Sequence, residues 1–324
     1  MEKKILEVKN LKKYFPTTRG LVRAVDDVTF SVNVGETLAL VGESGSGKTT
    51  TGHVIMGFYT PDGGSILFNG INIAQPIEKR PKELKRMIQI VFQDPGTSLN
   101  PKRTVKEIIE EPLKVHENLS KWERLKRILD ILNYIGLTED YMFKKPIELG
   151  GGEKQLVAIA RALAPNPSFI VLDESTSALD VSAQARVLKT LSKIQNDFKV
   201  SYLLITHDLG VVRNVSHRVA IMYLGKIYET ASTEEFFRNP VHPYTQMLLS
   251  SIPVISEEEE EQIPKKIEST GEIPSATNPP SGCRFHTRCP YATEVCKSKE
   301  PPEIQVNIDT NGIPHIVKCW LSNH

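Results

Sequence analysis

The run Gly42-Glu-Ser-Gly-Ser-Gly47-Lys48-Thr49 ends in a lysine and a hydroxyl side chain, and the apolar stretch Thr37–Val41 leads into it. Glycines at this spacing let successive backbone N–H groups close around phosphate oxygens, and the helix-like segment that follows turns its positive end toward them. The chemistry implied is binding of a nucleoside triphosphate. Expected contacts are Gly42, Ser44, Gly45, Ser46, Gly47, Lys48, Thr49 and Thr50, with Lys48 reaching the β- and γ-phosphates and Thr49 helping to hold Mg²⁺.

A second run, Phe169-Ile-Val-Leu172-Asp173-Glu174, has four apolar residues ending in two carboxylates. It reads as a buried parallel strand whose C-terminal end opens onto a site. Asp173 suits the Mg²⁺ role, and Glu174, just past the strand end, suits the polarisation of a water attacking the γ-phosphate.

Further segments lie in an order and spacing that resemble the nucleotide-binding subunits of ABC transporters. Ile90-Val-Phe-Gln93-Asp-Pro95 looks like that family's Q-loop, Leu149-Gly150-Gly151-Gly152-Glu153-Lys154-Gln155 like its signature loop, and Ser177-Ala178-Leu179-Asp180 like its D-loop. Tyr202-Leu-Leu-Ile-Thr206-His207-Asp208 is similar to the strand that delivers the switch histidine. The resemblance implies that Gln93 sits at the Mg²⁺ and the attacking water and that His207 contacts the γ-phosphate. It also places Gly150, Gly151, Gly152 and Asp180 at an ATP held between two cassettes. Leu11-Lys-Lys-Tyr14-Phe15 resembles the segment whose aromatic stacks on adenine, with Phe15 first in register and Tyr14 second.

One departure bears on mechanism. The family's usual signature is Leu-Ser-Gly-Gly-Gln, and this chain carries Gly150 in place of the serine and Glu153 in place of the glutamine. In the family this loop reaches across a head-to-tail dimer to the partner's ATP, so a lost hydroxyl weakens the partner's site by about 1.5–3 kcal/mol. The expectation is an asymmetric heterodimer in which the full-strength site uses Lys48, Glu174 and His207.

The 324 residues have a formal charge of +1 and are 40% hydrophobic, enough for a sizeable core and without the basic excess that nucleic-acid binding calls for. No apolar run approaches the ~20 residues that span a bilayer, and the lysine-led start lacks a signal-peptide core. The expected place is the cytoplasmic face of the membrane, held there by other subunits.

Around this chemistry the pattern alternates. Residues 1–97 read as strand-rich, including Ile5–Val8 and Val28–Val32, with a turn at Pro61–Gly64. Apolar residues at three- and four-residue spacing predict helices over Val105–Leu113, Lys121–Ile135 and Lys154–Leu163, the family's helical subdomain at about 98–160. Strands at 169–173, 201–206, 218–223 and 226–229 enclose a helix at 181–197, so the fold class is α/β, a doubly wound P-loop NTPase core. No internal repeat supplies a second cassette. Residues 1–235 are assigned to the nucleotide-binding domain, and 236–324 to a small cysteine-rich extension.

The segment from His242-Pro243-Tyr244 through a short helix at Gln246–Ser251 to Pro253 resembles the extension of the oligopeptide/dipeptide branch, which points to import. The acidic run Glu257–Glu261 reads as a solvated linker. All four cysteines, Cys283, Cys289, Cys296 and Cys319, fall in the last 42 residues. In a reducing compartment they ask for a metal. The absence of a close pair leans toward a [4Fe–4S] cluster, with Zn²⁺ the alternative. His53, His116, His217, His286 and His315 read as packing or surface residues.

The function expected is an ATPase, with ATP and Mg²⁺, powering an importer of oligopeptides or dipeptides. Its expected partners are a second cassette, two transmembrane permease subunits and, indirectly, an extracytoplasmic substrate-binding protein, with no nucleic acid. The same branch also carries oligosaccharides and nickel, and a membrane-free ABC ATPase is the competing class.

Overall fold

The computed structural model describes residues 3–251 and 271–323. The acidic run Glu257–Glu261 lies outside them.

Two sheets organise the chain. Strands β1 (Lys4–Thr17) and β2 (Gly20–Asn33) form a long hairpin, and with β4 (Gly63–Phe68) and β5 (Ile71–Asn72) they make an antiparallel sheet in the order β2-β1-β4-β5. The expected strands Ile5–Val8 and Val28–Val32 are the regular parts of this hairpin. Pairing continues past them through register shifts such as that between Val8 and Leu11.

The larger sheet is built on β3 (Thr37–Val41), β6 (Ile88–Val91), β7 (Phe169–Asp173), β8 (Ser201–Thr206) and β9 (Arg218–Tyr223), which are parallel throughout. Every residue of β3, β7 and β8 is buried, which is why these strands read as unbroken apolar runs. Strand β10 (Lys226–Ser232) turns back antiparallel, and β11 (Glu303–Ile308) and β12 (Pro314–Lys318) extend the sheet beyond it. The full order is β11-β12-β10-β9-β3-β8-β7-β6. The cysteine-bearing segment is thus joined to the central sheet, and Cys283, Phe285 and Cys296 pack into the same core as that sheet.

Helix α1 (Lys48–Met56) leaves β3 through the glycine run and stops at Gly57, whose φ of 82° closes the last turn. The helical region comprises α2 (Lys82–Met87), α3 (Pro95–Ser98), α4 (Val105–His116), α5 (Lys121–Tyr134) and α6 (Gly151–Leu163). Both α4 and α5 begin with reciprocal caps, Thr104 with Glu107 and Ser120 with Glu123. Helix α7 (Val181–Phe198) returns the chain to β8, and α8 (Leu209–Val215) and α9 (Thr233–Arg238) flank β9 and β10. The helix expected at Gln246–Ser251 begins earlier, as α10 (Pro243–Leu249). Pro243 occupies its first turn, and His242 Nδ1 accepts from the Tyr244 amide at 3.0 Å. A short α11 (Glu294–Ser298) carries Cys296.

Candidate nucleotide site

The glycine run wraps the start of α1 because side chains would not fit. A Cβ on Gly42 would come within 2.0 Å of the Met222 carbonyl oxygen, and one on Gly47, where φ is 105°, within 2.0 Å of that of Ala24. Lys48 is buried and turned onto its own loop, its Nζ donating to the carbonyls of Gly42 at 2.7 Å and Glu43 at 2.9 Å. Burial lowers its pKa, while the carboxylates of Glu174, Asp173 and Glu43 hold the charged form.

At the end of β7, Asp173 Oδ1 accepts from Thr49 Oγ1 at 3.0 Å. Burial raises the Asp173 pKa against the pull of that hydrogen bond. A carboxylate and a hydroxyl side by side, both oxygen donors, suit a hard divalent cation. His53, read from the sequence as packing, lies with Nε2 3.6 Å from Asp173 Oδ2. Spacing carried the signal, since His53 is one helical turn from Thr49 and shares its face.

Glu174 has a left-handed backbone, φ 45°, fixed by its amide donating to the Ile205 carbonyl at 2.8 Å. Gln93 Nε2 donates to its Oε2 at 2.9 Å, and its Oε1 lies 3.4 Å from His207 Nδ1. These three residues, expected from separate segments, meet. Glu174 and His207 share with Val41, Gly42, Glu43 and Ser44 the wall of a cavity of about 450 Å³, which Leu248 and Ile273 complete.

Other expected residues lie apart from this cavity. Gly150, Gly151 and Gly152 open α6, and the Gly152 backbone sits so close to α7 that a Cβ would come 2.8 Å from Ala183 Cβ. Asp180 caps α7, accepting from the Ala183 amide at 2.9 Å. Glu153 is turned back on its own helix, accepting from the Gly150 amide at 2.9 Å and from the Tyr141 hydroxyl. On the N-terminal hairpin, Phe15 meets Tyr59 edge-on at 5.1 Å, while the Tyr14 hydroxyl donates to Asp26 at 2.6 Å.

The four cysteines surround one small cavity together with His242 and Phe285. Burial pushes the Cys283 thiol up to about 12 and the Cys289 thiol to about 11. Among the described residues, no three His, Cys, Asp or Glu side chains are placed to hold a metal ion, so the metal expected at Cys283, Cys289, Cys296 and Cys319 finds no preformed ligand set. No described helix is long and apolar enough to cross a membrane.

Residues 25–177 match the family described as ABC transporter, and residues 228–296 match the family described as oligopeptide/dipeptide transporter, C-terminal region. The oligopeptide transport ATP-binding protein AppF of Bacillus subtilis is 46% identical over 325 residues, spanning 98% of this chain and 97% of its own. The chain belongs to the ABC transporter family. The dipeptide transport ATP-binding protein DppF of Escherichia coli is similar to this ABC chain at 38% identity, over 93% of this chain and 91% of that one. Among solved structures, the dimeric post-hydrolysis state of the ATP-binding cassette MJ0796 bound to ADP and Pi superposes with a TM-score of 0.63 at 30% identity, covering 70% of this chain and 98% of that one. The fold is the P-loop ABC ATPase fold.

Proposed function

We propose that this chain is the ATP-binding and ATP-hydrolysing subunit that powers an importer of oligopeptides or dipeptides. The observation that carries the reading is Glu174 held between Gln93 and His207 on the wall of the P-loop cavity. Relatives named as oligopeptide and dipeptide transport ATP-binding proteins support the cargo class.

In this reading the backbone amides from Gly42 to Thr50 and the Lys48 ammonium cradle the triphosphate of ATP. Thr49, Asp173 and Gln93 would hold Mg²⁺, which would supply charge neutralisation on the phosphates. Glu174 orients and polarises the attacking water, and its constrained backbone aims the carboxylate before substrate arrives. His207 lies against the γ-phosphate, and Phe15, with Tyr14 as the second choice, stacks on adenine.

Gly150–Gly152 and Asp180, which do not line this cavity, act at the ATP of a second cassette, a reading that the dimeric state of the structural neighbour MJ0796 supports. Residues 1–235 form the nucleotide-binding domain and 236–324 the extension. Two permease subunits receive the closure motion through the Gln93 region at the cytoplasmic face, and an extracytoplasmic binding protein delivers the cargo. Cys283, Cys289, Cys296 and Cys319, which line one small cavity, are the residues that would hold a [4Fe–4S] cluster, with Zn²⁺ the alternative.

The test is the ATPase rate of this chain with its second cassette and permeases in lipid, comparing peptide-loaded with oligosaccharide-loaded binding protein. Stimulation by peptide alone supports the reading. Stimulation by sugar alone replaces the cargo, and no response to either overturns the importer assignment. Iron and acid-labile sulfide in the anaerobically purified chain test the cluster.

A further inference from the structure

The cysteine-bearing segment touches the nucleotide site at two separate points, each through an arginine beside a cysteine. Arg288, before Cys289, donates from Nη1 to Glu43 Oε2 at 2.7 Å and from Nη2 to Oε1 at 3.0 Å. This two-pronged pairing fixes orientation as well as charge. The arginine side chain is only 7% exposed, with its guanidinium 5.8 Å from the ring centres of both Tyr223 and Phe285. The Tyr244 hydroxyl accepts from the Glu43 amide at 2.9 Å, and the Glu43 carbonyl accepts from Lys48. Glu43 is therefore gripped by the C-terminal segment on two sides while it holds the lysine of the phosphate loop.

Arg284, after Cys283, makes the second contact. Its amide donates to the Tyr228 hydroxyl at 2.9 Å, and its guanidinium pairs with Asp26 Oδ2. Asp26 Oδ1 accepts from Tyr14, beside Phe15 on the strand expected at adenine. If the segment merely covered the sheet, apolar side chains would do so without the cost of burying guanidinium charge.

We propose that Arg288 and Arg284 are positioning residues for the nucleotide, Arg288 setting the phosphate loop through Glu43 and Arg284 setting the adenine strand through Asp26. The proposal rests on the reading that the P-loop holds ATP and adds that a segment outside the cassette tunes its affinity.

The test uses the full chain and the equilibrium binding of N-methylanthraniloyl-ATP, with inorganic tripolyphosphate as a competitor that lacks the base. Binding by the unaltered chain establishes the site itself, separately from the proposal. Glu43→Gln and Arg288→Gln are each expected to weaken both ligands about tenfold, and the double variant no more than either single one. Arg288→Lys should recover part of the loss. Asp26→Asn should weaken the ATP analogue and leave tripolyphosphate unchanged, a split that a general loss of stability would not produce. Unchanged analogue affinity in Glu43→Gln and Arg288→Lys, or an equal loss for both ligands in Asp26→Asn, would overturn the proposal. Both arms hold even if Arg288→Gln fails to fold.

Discussion

The Gln93 side-chain amide donates to Glu174 Oε2 at 2.9 Å, on the same carboxylate whose other oxygen faces His207. Two segments that flank different strands thus converge on one acid. Replacing Glu174 with Gln keeps the shape and the contact with Gln93 while removing the proposed base. ATP turnover at this site should fall roughly 10²- to 10⁴-fold, with nucleotide affinity retained. Single-turnover hydrolysis and analogue binding on the same variant check this, and retained hydrolysis would remove Glu174 from the role of base.

Gly150 has φ −68° and ψ 165°, a backbone that serine adopts freely, and a Cβ there would meet nothing closer than Glu153 Oε2 at 3.7 Å. Gly150→Ser should therefore be tolerated and should supply the missing hydroxyl to the partner's ATP. In an assembly already carrying Glu174→Gln, so that only the partner's P-loop turns over, the added hydrogen bond should raise the remaining ATPase about tenfold. An unchanged rate would mean that the glycine is not what limits that site.

Thr49 and Asp173 are linked directly at 3.0 Å. Thr49→Ala and Asp173→Asn should each raise the Mg²⁺ concentration needed for half-maximal tightening of nucleotide binding by at least about tenfold. Binding measured in EDTA should stay the same. Weakening of the same size with and without Mg²⁺ would mean that neither residue acts through the cation.

Burial, together with the hydrogen bond to Asp26, raises the Tyr14 phenol to about 12. A folded pKa above the unfolded value of about 10 gives stability that is complete below pH 10 and lost as the pH climbs toward 12. The phenolate absorbance difference between the unaltered chain and Tyr14→Phe, read just after a pH jump, should have its midpoint near 12. Asp26→Asn should move that midpoint back toward 10. A midpoint near 10 in the unaltered chain would contradict the Tyr14–Asp26 link.

The candidate site was legible wherever its residues lie together in a short run of backbone. The P-loop, the Asp173–Glu174 pair and His207 each stand at the end of a wholly buried strand, where an apolar run meets polar residues. The helices α4 and α5 were legible for a similar reason, because their periodicity begins at a capping residue. The N-terminal hairpin was harder to see, since its register shifts break the alternation that marks a strand. What could not be read were contacts between distant positions. Glu43 and Arg288 are separated by 245 residues, and Asp26 and Arg284 by 258. Nothing local distinguishes those arginines from surface charges, and only the folded chain brings Arg288 to Glu43 in the glycine run and Arg284 to Asp26 on β2.

The return of the chain through β12 also covers an edge. Without β12, the outer side of β10 would offer free N–H and C=O groups of a largely buried strand, around Glu229 and Thr230, to any other chain able to pair with it. With the hairpin in place the boundary passes to β11, whose residues are mostly exposed and alternate Glu303, Gln305 and Asn307 with Ile304, Val306 and Ile308. A cassette cut off before this hairpin would keep every residue proposed to touch ATP while leaving the edge of β10 unpaired, so strand pairing as well as side-chain contact ties the two parts of the chain together.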